Sequence, residues 1–350
     1  MWVTSSLTTV LTPTAVALGN FDGVHRGHQQ VIRPVLPNSA IETQVIATSQ
    51  RGCSWVETRE ILTDNPPIED REIPSTTATG RPHVTVVTFN PHPQEFFTGQ
   101  PRTLLTPPNE KARQLLRLGV EQLVLLPFDR ELADLSPQQF VEEILVRQLQ
   151  SRRISVGADF RFGRKRAGTS ADLQAIAATY GIEVIIVPLQ TCEGERISSS
   201  DIRQALTQGE IARANQLLGR SYSLTGTVVQ GQQLGRTLGF PTANLNLPPE
   251  KFLPRYGVYA VKVFLEQEQG SRGTEEMIPC PIPGVMNIGC RPTVSGSSPT
   301  VEVHLIDWTG DLYGKTLTVS LEQFLRAEQK FASLDALKTQ IQADCATAKE

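Results

Sequence analysis

Two histidines three residues apart mark the first place where this chain could do chemistry. They close the run Gly19-Asn20-Phe21-Asp22-Gly23-Val24-His25-Arg26-Gly27-His28, which follows a short apolar stretch and leads into a helical pattern. Gly19 and Gly23 let the backbone approach a ligand closely. Amides and dipole at a helix start favour an anion, so Gly19, Phe21, Asp22 and Gly23 are read as one phosphate-binding loop. His25 and His28 share a face there, and imidazolium groups in that position would stabilise charge on departing phosphate. A metal pair, or a structural turn with packed histidines, fits the same residues. Zinc is disfavoured because no third or fourth ligand stands at suitable spacing.

Three more runs in the first half carry polar residues after apolar stretches. Thr88-Phe89-Asn90-Pro91-His92-Pro93 has two prolines that stiffen a loop, and a strand-ending turn would look the same. Gly157-Ala158-Asp159-Phe160-Arg161-Phe162-Gly163 offers aromatics able to lie on a flat ring. Arg164, Lys165 and Arg166 follow it, either as phosphate contacts or as a solvated charge run. Arg196-Ile197-Ser198-Ser199-Ser200-Asp201-Ile202-Arg203 puts hydroxyls at a helix start and a guanidinium inside its first turn. Plain N-capping explains the serines, but a phosphate site also explains the arginines.

The second half has its own set. In Gly235-Arg236-Thr237-Leu238-Gly239-Phe240-Pro241-Thr242-Ala243-Asn244, the glycines allow wrapping around phosphates. Thr242 and Asn244 supply hard oxygen ligands suited to Mg²⁺ bound together with phosphate. Val301-Glu302-Val303-His304-Leu305 alternates like a strand, with Glu302 and His304 on one face. A carboxylate there could take a proton from an attacking hydroxyl; a solvent-facing strand edge is the plain alternative.

The elements that must position these residues fall into two patterns. Short β-branched runs near 15–19, 84–89, 122–128, 154–157 and 183–188 alternate with helical segments, which predicts parallel βαβ units and a doubly wound sheet. Sites in such sheets lie beyond the carboxyl ends of the strands, where the first four motifs fall. Residues 39–82 break the pattern and read as an insertion, either a mobile loop or an added hairpin. A helical stretch at 201–218 leads out of this region. From 223 to 320 closely spaced strands with many Gly and Pro predict a small antiparallel barrel. Phe324, Leu325, Phe331, Leu334, Leu337 and Ile341 form the apolar face of an expected final helix.

Length and composition frame these readings. The chain's 350 residues exceed one comfortable core and favour two domains. A net charge of -3 gives no reason to expect a nucleic-acid partner. Five scattered cysteines without a C-x-x-C pair suit a reducing compartment. With no leader-like segment and no bilayer-length apolar run, a cytoplasmic location is expected, with no membrane contact. The oligomeric state is not fixed by the sequence.

Taken together, GNFDGVHRGH, TFNPHP, VGADFRFG and RISSSDIR resemble the H-x-G-H nucleotidyltransferases. More narrowly, they resemble the adenylyltransferase domain of prokaryotic bifunctional riboflavin kinase/FAD synthetases. GRTLGFPTANL, YGVY, GVMNIGCRPT, VEVHL and DLYGK resemble riboflavin kinase. The resemblance implies an adenylyltransferase domain over 1–186, a connecting helical segment over 187–220 and a kinase domain over 221–350. The kinase fold it implies is a six-stranded antiparallel barrel with a C-terminal helix. ATP would phosphorylate riboflavin to FMN, and FMN phosphate would then attack the α-phosphorus of a second ATP to give FAD. His25 and His28 would contact ATP phosphates, with Arg196, Ser199, Ser200 and Arg203 holding phosphate groups. Asn90, Pro91, Asp159, Phe160 and Arg326 would border the flavin. Gly235, Gly239 and Pro241 would belong to the kinase's ATP loop, Thr242 and Asn244 would organise Mg²⁺-ATP, and Glu302 would be the general base. A chain with one surviving activity and a non-catalytic flavin- or nucleotide-binding regulator are the competing readings.

Overall fold

The computed structural model describes residues 1–37, 80–192, 194–231, 235, 239–265, 281–293 and 296–349. The expected insertion at 39–82 lies, up to residue 79, outside the described residues. The chain divides into two units, Met1–Arg102 with Pro108–Arg196, and Thr103–Pro107 with Ile197–Glu350.

The first unit is built on six parallel strands. They are β1 (Trp2–Thr4), β2 (Thr14–Leu18), β3 (His83–Asn90), β4 (Gln122–Pro127), β5 (Ser151–Gly157) and, after the hairpin of β6 (Arg161–Phe162) and β7 (Gly168–Thr169), β8 (Glu183–Val187). Their order is β1-β4-β3-β2-β5-β8, with every pairing parallel. Both faces of such a sheet are covered, so its strands are apolar runs without alternation; Val84 to Thr88 are all buried. One core layer gathers Val16, Leu18, Val124 and Ile154, and the other gathers Ala17, Val86, Leu123 and Ile32. The flanking helices are α1 (Arg26–Ile32), α2 (Pro93–Thr98), α3 (Pro108–Arg117), α4 (Arg130–Asp134), α5 (Pro137–Gln139) running into a π-helical turn at Phe140–Gln148, and α6 (Ser170–Ala178). A small antiparallel pair, β9 (Thr191–Cys192) with β10 (Glu195–Arg196), ends the unit. Strand order reverses at β2, which lies between β3 and β5. This is the doubly wound topology expected from the sequence, and its switch point lies where the Gly19–His28 loop emerges.

The second unit opens with α7 (Ser199–Gln208) and α8 (Ile211–Leu218). The single helix expected over 201–218 is broken at Gly209, whose φ of +81° ends α7 in the left-handed region. Six strands follow: β11 (Ser223–Val229), β12 (Ala243–Asn246), β13 (Gly257–Leu265), β14 (Ile282–Thr293), β15 (Gly296–Leu305) and β16 (Thr316–Arg326). They close a barrel in the order β11-β12-β15-β14-β13-β16. The C-terminal helix α9 (Leu334–Lys349) covers part of its outer face, where Cys345 and Ala348 pack on Val258, Val285 and Ile306. Phe324, Leu325 and Phe331 are not on that helix. Pairing with β13 carries β16 through Arg326, and the Phe324 ring meets Tyr259 edge-on at 5.2 Å. Cross-strand packing has overridden a helix-like spacing of apolar residues.

Candidate functional site

In the first unit the loop after β2 is a tightly held structure. Phe21 and Val24 take positive φ values of 47° and 42°, a conformation that is costly for a β-branched residue. Both side chains are 1% exposed and sit in the core. Asp22, at 3% exposed, is buried beneath the loop as well. Phe21 and Asp22 therefore shape the loop from below, while Gly19 stays partly open. His25 caps α1: its Nδ1 accepts a hydrogen bond from the His28 amide at 3.2 Å. An accepting Nδ1 puts the proton of a neutral ring on Nε2. The two imidazoles stack with centroids 3.6 Å apart, and the Phe21 ring meets His28 edge-on at 5.3 Å. Sequence spacing promised a shared face; the packing makes one stacked pair of it.

The loop after β3 ends with Asn90 and Pro91 exposed, and His92 caps α2 by accepting from the Gln94 amide at 3.1 Å. Phe89, Phe96, Phe97 and Phe128 gather at the carboxyl ends of β3 and β4, with neighbouring centroids between 5.3 and 5.8 Å. Phe97 remains 68% exposed. An unburied aromatic cluster at the ligand edge of a doubly wound sheet is suited to a flat ring. The Phe96-Phe97 pair was present in the sequence but was passed over, because only the fold brings Phe128 to it.

After β5, Asp159 forms an ion pair with Arg196, so two residues from separate motifs converge. Gly157 leaves room for that carboxylate, with Asp159 Oδ1 3.1 Å from where a side chain would begin. Phe160 is half-buried. It stacks on Phe162 at 5.8 Å and packs against the core. Ser199, Ser200 and Arg203 fall in the second unit. Ser198 is the actual cap of α7, and Arg203 donates to the Thr103 carbonyl at 2.9 Å and lies over the Phe252 ring.

In the second unit strand register assembles the polar residues. Asn244 on β12 lies opposite Glu302 on β15, and Glu302 lies opposite Asn287 on β14. Side chains directly opposite share a face and stand about 5 Å apart at Cβ. Their neighbours Ala243, Val303 and Met286 point into the barrel and are buried. Gly231 packs on the Asn244 carboxamide so closely that any side chain there would overlap it, and a side chain at Gly235 would run into the Phe240 carbonyl and begin 3.4 Å from the Thr242 side chain. These glycines form a cradle over the two proposed metal ligands, and the hydroxyl, carboxamide and neighbouring carboxylate are a hard-oxygen set that fits Mg²⁺. His304 Nδ1 donates to the Pro241 carbonyl at 2.8 Å, pinning the end of the loop. Gly239 holds a φ of +85° in that loop, and Arg236–Leu238 lie outside the described residues. Asn287 was not singled out in the sequence. Nor was Glu328, whose carboxyl lies over Gly289 close to the Asn287 amide. Arg326 is engaged by Asp344 of α9 through bonds of 2.8 to 3.2 Å, with Asp344 only 5% exposed.

Two family models cover the chain. FAD synthetase matches residues 7–48 and 73–201, and riboflavin kinase matches 218–350. Bifunctional riboflavin kinase/FMN adenylyltransferase of Escherichia coli K12 is 39% identical over 96% of this chain and 91% of its own length. The enzymes of that description from Pseudomonas fluorescens and Bacillus subtilis are 37% and 32% identical, each over 95% of this chain, and 91% and 90% of their own lengths.

The chain belongs to the bifunctional riboflavin kinase/FMN adenylyltransferase family.

A solved structure from Streptococcus pneumoniae described as a macrolide-efflux protein shares the fold with a TM-score of 0.75 and 29% identity, over 99% of this chain and 98% of its own. No helix among the described residues here is long and apolar enough to cross a membrane. The family's two matched regions correspond to the sheet unit with its histidine pair and to the barrel with its Asn244–Glu302 row. A cavity of about 390 Å³ bordered by Val84, Arg81, Arg152, Arg153 and Glu183 opens at the other edge of the sheet, at the strands' amino ends. Arg81 and Arg153 are held there by Glu121 and Glu183, and no motif reaches it.

Proposed function

We propose that this chain phosphorylates riboflavin to FMN at the barrel and adenylylates FMN to FAD at the parallel sheet, using one ATP in each step. What carries this reading is that both families match one chain; the stacked His25–His28 pair and the opposed Asn244–Glu302 pair support it. In the first step Glu302 takes the proton of the riboflavin 5′-hydroxyl as its oxygen attacks the γ-phosphorus, and ADP leaves. Thr242 and Asn244 would hold Mg²⁺, which offsets the phosphate charge when bound. The glycine loop ending at Pro241 encloses the ATP phosphates, and His304 keeps that loop on the strand beside the base.

In the second step a phosphate oxygen of FMN attacks the α-phosphorus of ATP, and pyrophosphate leaves. His25 and His28 donate hydrogen bonds to the phosphates as charge builds on the departing group. Arg196, turned toward Asp159, adds a guanidinium suited to phosphate. The Phe89, Phe96, Phe97 and Phe128 cluster beside Asn90 and Pro91 supports a seat for the isoalloxazine ring. ATP as co-substrate and five scattered cysteines without a C-x-x-C pair support a cytoplasmic enzyme.

The test is a time course of the purified chain with riboflavin, ATP and Mg²⁺, with flavins separated by chromatography. FMN rising first and FAD after it is the expected outcome. FMN alone would remove the adenylyltransferase half of the proposal, and no product would remove both.

A further inference from the structure

Lys111 is 6% exposed, yet it carries an ammonium into the interior of the first unit from α3. Its Nζ donates to the Asn20 carbonyl at 2.9 Å and approaches the Thr88 hydroxyl at 3.3 Å. Thr88, on β3, donates to the same Asn20 carbonyl at 2.8 Å. Asp22, the buried carboxylate of the loop, interacts electrostatically with this ammonium. A long cationic side chain is seldom taken out of water without a specific partner. Here its partners are all parts of the loop that delivers His25 and His28, or the hydroxyl that shares that loop's carbonyl.

The loop needs such a hold. Phe21 and Val24 both sit in the left-handed region, where non-glycine residues persist only if the surroundings over-determine them. The core packing of those two side chains fixes the loop from one side. The Asn20 carbonyl, which accepts from both Lys111 and Thr88, is a second anchor. Between these anchors the chain turns straight into the His25 cap of α1.

We propose that Lys111 is a positioning residue for FMN adenylylation, setting the Gly19–His28 loop, and with it the histidine pair, through the Asn20 carbonyl and the Asp22 carboxylate. This rests on the adenylyltransferase reading above. Lys111 touches neither substrate nor the reacting atoms; it acts through the loop. Its removal should therefore cost turnover more than binding, because misplacement by a fraction of an ångström in a reacting centre is expensive.

The test uses the full chain, with FMN adenylylation and riboflavin phosphorylation measured on each preparation. In Lys111→Met, kcat for FAD formation is expected to fall by roughly tenfold to a hundredfold, with KM for ATP and FMN changed less than about threefold and riboflavin phosphorylation unaltered. Leaving Asp22 buried without its counter-charge can impair folding, so Asp22→Asn/Lys111→Met is made beside it, which removes both charges of the pair. Restored thermal stability with kcat still depressed is the result expected of the double variant. A kcat within about threefold of the parent in either folded variant would overturn the proposal, as would full recovery in the neutral pair, which would make the role one of charge balance alone. Absence of FAD formation in the parent chain would instead strike the adenylyltransferase reading itself.

Discussion

Asn244 and Glu302 face each other across neighbouring antiparallel strands of the barrel, on the side away from its core. The carboxamide that would hold the metal and the carboxylate that would take the proton are thus held at one cross-strand spacing by backbone hydrogen bonds, independent of loop conformation. Glu302→Gln keeps the shape and removes the base. Riboflavin phosphorylation is expected to fall by about 10²- to 10⁴-fold, while FAD formation from supplied FMN stays at the parent rate. Assaying the two half-reactions separately checks this; equal loss of both in a folded chain would refute separate sites.

The histidine stack makes the complementary prediction. His28→Ala is expected to lower FAD formation from FMN by about 10²- to 10³-fold, the usual loss on removing a preorganised donor, and to leave FMN formation unchanged. The variant should therefore accumulate FMN from riboflavin, which a single chromatogram reads.

Gly231 tests the cradle over the kinase's metal ligands. Any side chain there overlaps the Asn244 carboxamide, so Gly231→Ala must push Asn244 off its position beside Glu302. Kinase activity is expected to drop by about tenfold or more with a raised requirement for Mg²⁺, measured by titrating the metal at fixed ATP. An unchanged metal dependence would show that Asn244 is not a ligand.

Lys111 gives the first unit a pH signature. Burial pushes its ammonium down from the ordinary 10.5 to about 8, and the Asp22 carboxylate opposes that fall. Because the folded value lies below the unfolded one, the unfolded chain binds more protons between about 8 and 10.5, and deprotonation of this group favours the fold there. Activity should move the other way, since a neutral amine no longer balances Asp22 and donates a weaker bond to Asn20. FAD formation is expected to decline above about pH 8, and Lys111→Met should lack that alkaline limb. Profiles of kcat for parent and variant, with melting temperatures over the same range, separate the two effects.

Much of this was legible from local pattern. The β-branched run at 84–88 read as a buried strand, and the alternation of strands with helices, followed by closely spaced strands, gave the parallel sheet and the barrel. What stayed hidden depended on tertiary pairing. Lys111 and Asn20 are 91 residues apart, and nothing local in α3 distinguishes an inward lysine from a solvated one. Asn287 acquires meaning only through the β14–β15 register, and Phe128 only through the adjacency of β3 and β4. The same long-range terms corrected local readings: Tyr259 and β13 drew Phe324 into a strand, and a left-handed glycine at 209 split a segment whose apolar spacing read as one helix.

The short segment Thr103–Pro107 lies in the middle of the first unit's sequence yet counts with the second. Its backbone exchanges bonds with Glu250 and Phe252 at 2.6 and 2.9 Å, its Leu105 carbonyl receives the buried Lys251 ammonium at 2.8 Å, and its Thr103 carbonyl receives Arg203. A gene cut at residue 196 would thus deliver a kinase half missing five residues of its own body, with an interior lysine deprived of its acceptor. The two compact units do not part at a single point on the chain, so a kinase fragment beginning at residue 197 is expected to melt lower than the same fragment supplied with residues 103–107.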